Sequence, residues 1–226
     1  MSKHHLEQIE CTHCKHKQNF MMWDSLNGDL DPKAKQSLID GTFFNFKCEK
    51  CGFEANVVYN TLYHDMTHNV MVYFVTPNMV ETTKMQMEKA SQHLEKFTKD
   101  SLPPTLRMPK TRNRIVTSQN RLREKAIIFN AGLDDRIVEL TKMYCFYEIS
   151  KQGVDVVPED MYFYIETNGD YKIQIIDKGG CDVPKELYQQ LETMCSGILE
   201  RIGDPYIVDA DFAFNILTIL EQLAGK

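Results

Sequence analysis

The stretches CTHC at residues 11–14 and CEKCG at residues 48–52 decide the fold of the N-terminal part of this chain. Each holds a C-x-x-C pair, and two such pairs that face each other supply four thiolates, the ligand set of a structural zinc site. Because all four positions are cysteine, no coordination position is left open for a substrate. We therefore predict a structural Zn²⁺ within a zinc ribbon. Its predicted ligands are Cys11, Cys14, Cys48 and Cys51.

The composition limits the setting and the partners. The chain has 226 residues, a formal net charge of −6 and seven cysteines. This acidic balance argues against nucleic acid as the main partner, because phosphate neutralisation needs a basic face. Residues 1–7 are polar rather than a leader, and no apolar run is long enough to span a membrane. We expect a cytoplasmic protein without a membrane partner, whose paired cysteines bind metal rather than form disulfides.

Residues 1–78 are predicted to form the zinc-ribbon module, built mostly of antiparallel strands. Asp31-Pro32 is typical of a helix start and Gly41 of a helix end. The β-rich segments are 6–23, 42–47, 53–59 and 69–75, the last of which is the most apolar and is expected to be a buried central strand. Residues 62–68 are expected to form a turn between the last two strands.

Residues 79–226 are predicted to form a mainly helical region with one hairpin at 161–176. Asn168-Gly169 lies between two β-rich runs and favours a type I′ turn. The fold class that follows is α+β, a zinc-ribbon antiparallel β module followed by this helical region. The expected helices lie at 79–99, 118–130, 135–151, 184–202 and 211–223.

With these segments placed, the chain resembles the CpXC domain family, named for two cysteine-pair motifs. The chain departs from the family pattern where Thr12 and Glu49 replace the proline that follows the first cysteine of each pair. The resemblance implies zinc binding and a cytoplasmic prokaryotic setting, and it implies no enzymatic activity. The resemblance covers roughly residues 5–150, and it rests on the paired cysteines, Asp31-Pro32, residues 62–66 with strand 70–75, residues 122–125 and residues 132–136.

His64, Asp65 and His68 are the strongest candidates for acid–base chemistry. A histidine titrates near neutrality, and a nearby carboxylate can orient it. However, neither a G-x-S-x-G nor an H-E-x-x-H motif accompanies them. We favour a structural turn over a hydrolase that uses His64.

Asp134, Asp135 and Arg136 could hold a metal or the basic group of a partner. Helix capping and an ion pair within the chain explain them better. His13 and His16 flank the first cysteine pair and could replace a ligand, but we expect exposed side chains there.

Residues 105–123 contain six basic residues and no acid. They could meet nucleic-acid phosphates, but the stretch lacks the interleaved aromatics of a single-strand binding platform, and an intramolecular or solvated role is favoured. The basic residues are Arg107, Lys110, Arg112, Arg114, Arg121 and Arg123. The three cysteines outside the pairs are interpreted as buried small hydrophobes or ordinary free thiols. They are Cys145, Cys181 and Cys195.

The leading functional hypothesis is a zinc-stabilised intracellular protein that acts as a non-enzymatic interaction or scaffold module for a protein partner. The alternative is a nucleic-acid-associated zinc-ribbon regulator that uses the basic stretch. A salt-dependent loss of binding would separate the second hypothesis from the first.

Overall fold

The computed structural model describes residues 1–101 and 111–224. The chain divides into two compact units, residues 1–122 (unit 1) and 123–226 (unit 2). The predicted domain boundary at residue 78 lies inside unit 1, because a strand at residues 112–116 joins the sheet of that unit. No helix of the described residues is long and apolar enough to cross a membrane.

Ten strands and six α-helices are found in the described residues, so the α+β class is confirmed. The strands are β1 (Lys3–Glu10), β2 (Lys17–Asn27), β3 (Asn45–Lys47), β4 (Glu54–Asn56), β5 (Thr61–Asp65), β6 (Val70–Phe74), β7 (Arg112–Val116), β8 (Met161–Ile165), β9 (Tyr171–Ile175) and β10 (Gly179–Val183). The helices are α1 (Pro32–Asp40), α2 (Val80–Ser101), α3 (Gln119–Asn130), α4 (Asp135–Lys151), α5 (Lys185–Ile202) and α6 (Ala210–Ala224).

Unit 1 is built on a five-stranded sheet with the order β1-β2-β5-β6-β7. The expected central strand is confirmed as β6, which pairs with β5 on one side and β7 on the other. Alternate residues of β5 and β6 are buried, as expected for strands with one face against a core. Helix α1 begins at Pro32 and ends at Gly41 as predicted, with Gly41 in the left-handed conformation (φ 81°), although the side chain of Asp31 makes no capping bond.

The sheet of unit 1 differs from the expected antiparallel module in two respects. Residues 61–65 are the strand β5 rather than part of a turn, and the turn is confined to the residues between β5 and β6. The pairs β2–β5 and β6–β7 are parallel. Parallel neighbours need a long connection, and α1 with the β3–β4 ribbon supplies it between β2 and β5.

Unit 2 contains an antiparallel sheet with the order β10-β9-β8 and the helices α4, α5 and α6. Helix α4 is buried from Ile137 to Met143 without interruption, so neighbours cover it on all sides in this stretch. The predicted hairpin is present as β8 and β9, and β10 adds a strand that was not predicted.

The turn of this hairpin is not of type I′. Only Gly169 has a positive φ (86°), whereas a type I′ turn needs positive φ at both central residues. The N–H of Gly169 donates to the carbonyl oxygen of Glu166, and the N–H of Glu166 donates to that of Asp170. The loop is therefore one residue longer than a two-residue turn and places Gly169 at its left-handed position.

Candidate metal centre

The two cysteine pairs fold into the same backbone turn. The N–H of Lys15 donates to the carbonyl oxygen of Cys11, and the N–H of Gly52 donates to that of Cys48, both over 2.9 Å. The residue after the second cysteine is left-handed in both turns, with φ of 60° at Lys15 and 72° at Gly52. The first turn joins β1 to β2, and the second joins β3 to β4. Each turn thus directs its two thiols to one side of the backbone.

The four sulfur atoms converge on one point. The Sγ atoms of Cys11 and Cys51 are 3.8 Å apart, and those of Cys14 and Cys48 are 3.6 Å apart. All four lie within 4.8 Å of one another. A tetrahedral ion with metal–sulfur bonds of about 2.3 Å has ligand sulfurs about 3.8 Å apart. These four cysteines could therefore hold a metal ion, and their spacing fits the zinc tetrathiolate that the sequence predicts.

A small apolar cluster supports the sulfur atoms from one side. Phe46 is buried with Cys11 and Cys48, and Ile9, Phe20 and Val57 pack against them. Cys51, by contrast, is exposed. The site therefore lies at the surface of unit 1, with half of its ligands embedded and one facing solvent.

Gln18 connects the two cysteine turns, a role that the sequence did not predict. Its side-chain amide donates to the carbonyl oxygen of Lys47 over 2.9 Å, and its side-chain oxygen accepts the N–H of Glu49 over 2.8 Å. The residue stands on β2 just after the first turn, and it binds the backbone on both sides of Cys48. A polar residue at this place in a sequence carries no signal by itself, because its partner lies across the site.

The cysteine thiols are electrostatically unequal. Burial opposes ionisation of Cys48, but the N–H groups of Cys51 and Lys50 and the thiols of Cys14 and Cys51 lower its pKa to about 6. The N–H of Phe53 favours ionised Cys51, but desolvation and the neighbouring thiols raise its pKa to about 12. A cation that binds here must therefore displace the proton that the raised pKa keeps on Cys51.

The flanking histidines and lysines have other contacts. His13 stacks on Phe53 with ring centroids 6.0 Å apart, and the group of clustered ligand atoms in the described residues contains the four cysteines without either histidine. Lys15 and Lys17 approach the carboxylate of Glu10, at 3.8 and 3.9 Å.

Asp65 is the centre of a second polar cluster in unit 1. Its buried carboxylate accepts the N–H of His68 over 2.9 Å and lies 3.0 Å from Nδ1 of the same residue. Lys35 Nζ lies 3.3 Å from this carboxylate, and the hydroxyl of Tyr63 donates to it over 3.2 Å. Burial raises the pKa of Asp65, but His68 and Lys35 outweigh it, and the pKa falls below its usual value. The cluster fixes the β5–β6 turn.

His64 is not oriented by Asp65. Successive residues of a strand point to opposite faces, so these two side chains of β5 diverge. Nδ1 of His64 lies 3.5 Å from the side-chain nitrogen of Asn27, and burial lowers the pKa of His64. The Asp65 carboxylate binds His68 instead. This contact lies in the turn that follows β5, as expected for a structural role.

Five charged side chains of unit 2 form a buried network between α3 and α4. Lys125 Nζ lies 2.8 Å from Asp135 and 3.5 Å from Glu139, and it donates to the carbonyl oxygen of Val208. Lys142 Nζ lies 2.9 Å from both Glu124 and Glu139. All five are at most 3% exposed. The network was not predicted, since Glu124 and Lys125 read as ordinary helix-surface residues.

Asp134 and Arg136 have the roles that capping predicts. The side chain of Asp134 accepts the N–H of Arg136 over 2.9 Å, and the guanidinium and carboxylate of the two residues pair at 2.6 Å. Arg136 also donates to the carbonyl oxygens of Leu199 and Gly203, so it ties the start of α4 to the end of α5. The expected cap and ion pair are confirmed.

The four basic residues of the basic stretch that the structure describes differ in exposure. Arg114 lies on β7 with its side chain fully buried, and it donates to the carbonyl oxygen of Asn113. Arg112, Arg121 and Arg123 are partly or fully exposed. The remaining two basic residues, Arg107 and Lys110, lie outside the described residues.

Two facing C-x-x-C turns on a β framework define a protein with a four-cysteine cluster that could hold a metal ion. The CpXC protein family model matches residues 9–142, which contain both turns, the Asp65 cluster and the whole buried network. The chain therefore belongs to the CpXC family. No curated protein and no solved structure matches it.

Proposed function

We propose that this protein is a non-enzymatic interaction module whose N-terminal unit is stabilised by a structural zinc ion. The observation that carries the zinc assignment is the convergence of four thiols within 4.8 Å. Four thiolates satisfy the tetrahedral preference of Zn²⁺ and leave no position for a reacting water, so a structural role fits better than a catalytic one.

Exposed apolar side chains on the helices of unit 2 support the interaction role. Phe214 on α6 is 54% exposed and Met194 on α5 is 69% exposed. On α6, Ile219 and Leu223 are exposed one turn apart on the same side of the helix. Exposed apolar side chains of this kind favour a protein partner over nucleic acid.

Metal content tests the first half of the proposal. Protein purified under reducing conditions should contain one zinc per chain by elemental analysis and native mass spectrometry. Cys48→Ser should lose it, and Cys195→Ser should keep it. A folded protein that is metal-free, or that contains iron, would overturn the zinc assignment.

Capture of partners tests the second half. Full-length protein should retain a protein from its host that Phe214→Asp loses and that Leu30→Asp, an equally exposed change on unit 1, keeps. Capture that disappears with nuclease treatment and falls steeply with salt would favour the nucleic-acid alternative instead. In that case Arg112→Ala and Arg121→Ala should weaken capture.

A further inference from the structure

Cys145 and Cys181 form a pair of adjacent thiols in unit 2. Cys145 lies on α4 and is buried, and Cys181 lies on the edge strand β10 and is half-buried. Each of the two thiols shifts the pKa of the other. Neither belongs to the four-cysteine cluster of unit 1, and the sequence predicts a buried small hydrophobe or an ordinary free thiol at both positions.

The architecture of unit 2 holds the two thiols together. Cys145 belongs to a core cluster with Met161 and Ile173, and Cys181 packs against this cluster. Strand β10 approaches β9 closely at Gly180, where a Cβ would lie 2.7 Å from the carbonyl oxygen of Ile173. The glycine thus allows the pairing that places Cys181 opposite Ile173.

Both cysteines line one cavity of about 440 Å³. Three carboxylates line it as well, those of Glu148, Asp182 and Glu186, and among the described residues no lysine or arginine lines it. Lys151 pairs with Glu148 and a second lysine, on β9, pairs with Asp182, both from outside the lining. The cavity is therefore large enough for a small molecule, and its described lining offers no cationic group to an anion.

The two thiols differ in pKa. The neighbouring Cys145 thiol lowers the pKa of Cys181 to about 7, against the opposing effects of burial and of Asp182. Cys181, together with burial, raises the pKa of Cys145. A thiolate beside a protonated thiol is the arrangement of an attacking and a resolving cysteine.

We propose that Cys181 and Cys145 are a reactive dithiol, which a small neutral hydroperoxide entering this cavity oxidises to an intramolecular disulfide. In the first step, Cys181 Sγ attacks one peroxide oxygen and the O–O bond breaks. The leaving oxygen takes a proton and departs as water or an alcohol, and Cys181 becomes a sulfenic acid.

In the second step, Cys145 Sγ attacks Cys181 Sγ and the S–O bond breaks. The hydroxyl group leaves with the proton of Cys145 as water, and the S–S bond forms. The peroxide has then gained the two electrons that the two thiols have lost.

Cys195 provides an internal comparison. It lies on α5, is fully buried, and does not line this cavity. Burial raises its pKa. It should therefore remain a thiol under conditions that oxidise Cys181.

The experiment uses full-length, reduced, metal-loaded protein treated with an equal amount of hydrogen peroxide and then alkylated. Peptide mapping should find a peptide in which Cys145 and Cys181 are linked, with two hydrogen atoms lost, while Cys195 is alkylated. In Cys145→Ala, dimedone should label Cys181, and in Cys181→Ala it should leave Cys145 unlabelled. Absence of the linked peptide from the wild type, or equal labelling of Cys195, would overturn the proposal.

The charge of the cavity is tested with two disulfides of similar intrinsic reactivity. Cationic cystamine should react with Cys181 at least about tenfold faster than anionic glutathione disulfide at low salt. Glu186→Gln should narrow this difference, and Glu200→Gln, on the same helix but not in the lining, should leave it unchanged. If cystamine and glutathione disulfide react with Cys181 of the wild type at equal rates, the inference that the acidic cavity disfavours anionic oxidants is wrong.

Discussion

Loss of the metal should unfold the second cysteine turn while unit 2 stays folded. Ordering residues 45–57 costs about 20 kcal/mol at roughly 1.5 kcal/mol per residue. The cluster around Phe46 returns only about 5–6 kcal/mol, counting one fully buried phenylalanine and three partly buried side chains. A structural zinc contributes about 10–16 kcal/mol, which closes the difference. The two three-residue strands β3 and β4 are thus too small to persist without the ion.

Hydrogen exchange measured by mass spectrometry resolves this effect. In Cys48→Ser, peptides covering residues 45–57 should lose their protection, and peptides covering the β8–β9 hairpin should keep theirs. Cys195→Ser makes the same chemical change in unit 2 and should leave residues 45–57 protected. If Cys48→Ser contains no metal and residues 45–57 are still protected, the free-energy reasoning is wrong.

Four further substitutions test other parts of the structure. Gly52→Ala should destabilise unit 1 by about 1–2 kcal/mol in chemical denaturation, because nothing lies within 4 Å of the added methyl and only the left-handed φ opposes it. Gly197→Ala, an exposed position inside α5, should instead stabilise by about 0.5–1 kcal/mol. Asp65→Asn should cost about 3–5 kcal/mol. Since the pKa of Asp65 is lowered on folding, the wild type should lose stability as the pH falls from the unfolded value of 3.8 through the folded one, and the variant should lack this acid-side loss. Lys142→Met should destabilise unit 2 by about 3–5 kcal/mol, since two buried carboxylates lose their common cation, and a loss under about 1 kcal/mol would contradict the buried pairing.

The sequence predicted those features whose cause is local. The C-x-x-C spacing, the Pro32 start and Gly41 end of α1, and the apolar run of β6 depend on neighbours within a few residues. The Asp134 cap is local as well, since the Asp134 carboxylate accepts the N–H of Arg136, two residues further along the chain. For the same reason, the predicted ends of helices α3 to α6 lie within one or two residues of the observed ends.

The missed strands have their cause in tertiary pairing. β7 reads Arg-Asn-Arg-Ile-Val, and its first three residues are polar, so the segment looked like part of a solvated basic stretch. Parallel pairing with β6 makes it a strand and buries Arg114. β10 begins with Gly179-Gly180, which disfavours a strand intrinsically, and pairing with β9 overrides this preference.

The buried charges were beyond the sequence for a related reason. Glu124 and Lys125 lie on α3 directly before Ala126. The sequence of α3 alone does not reveal that a second helix with charged residues covers these two side chains. A usable signal exists in α4, where Glu139 and Lys142 are the charged residues of the otherwise mostly apolar stretch 137–143. A helix that is apolar all round except for opposite charges three residues apart indicates that those charges are buried as pairs.

The proposed zinc ion and the buried network differ in their expected effect on the fold. On this proposal the ion supplies free energy that a small apolar cluster lacks, so its removal is expected to unfold a segment. A buried ion pair supplies little net stability, because desolvation offsets the attraction, and apolar residues of equal volume can replace it. The network does fix the register of α3 against α4. Lys125 pairs with Asp135 and Lys142 pairs with Glu124 in only one arrangement of the two helices. A shift of α3 by one helical turn along α4 would leave these charges unpaired, at a cost of about 3–5 kcal/mol for each broken pair. The network therefore favours the observed packing of α3 on α4 over packings that are shifted by one turn.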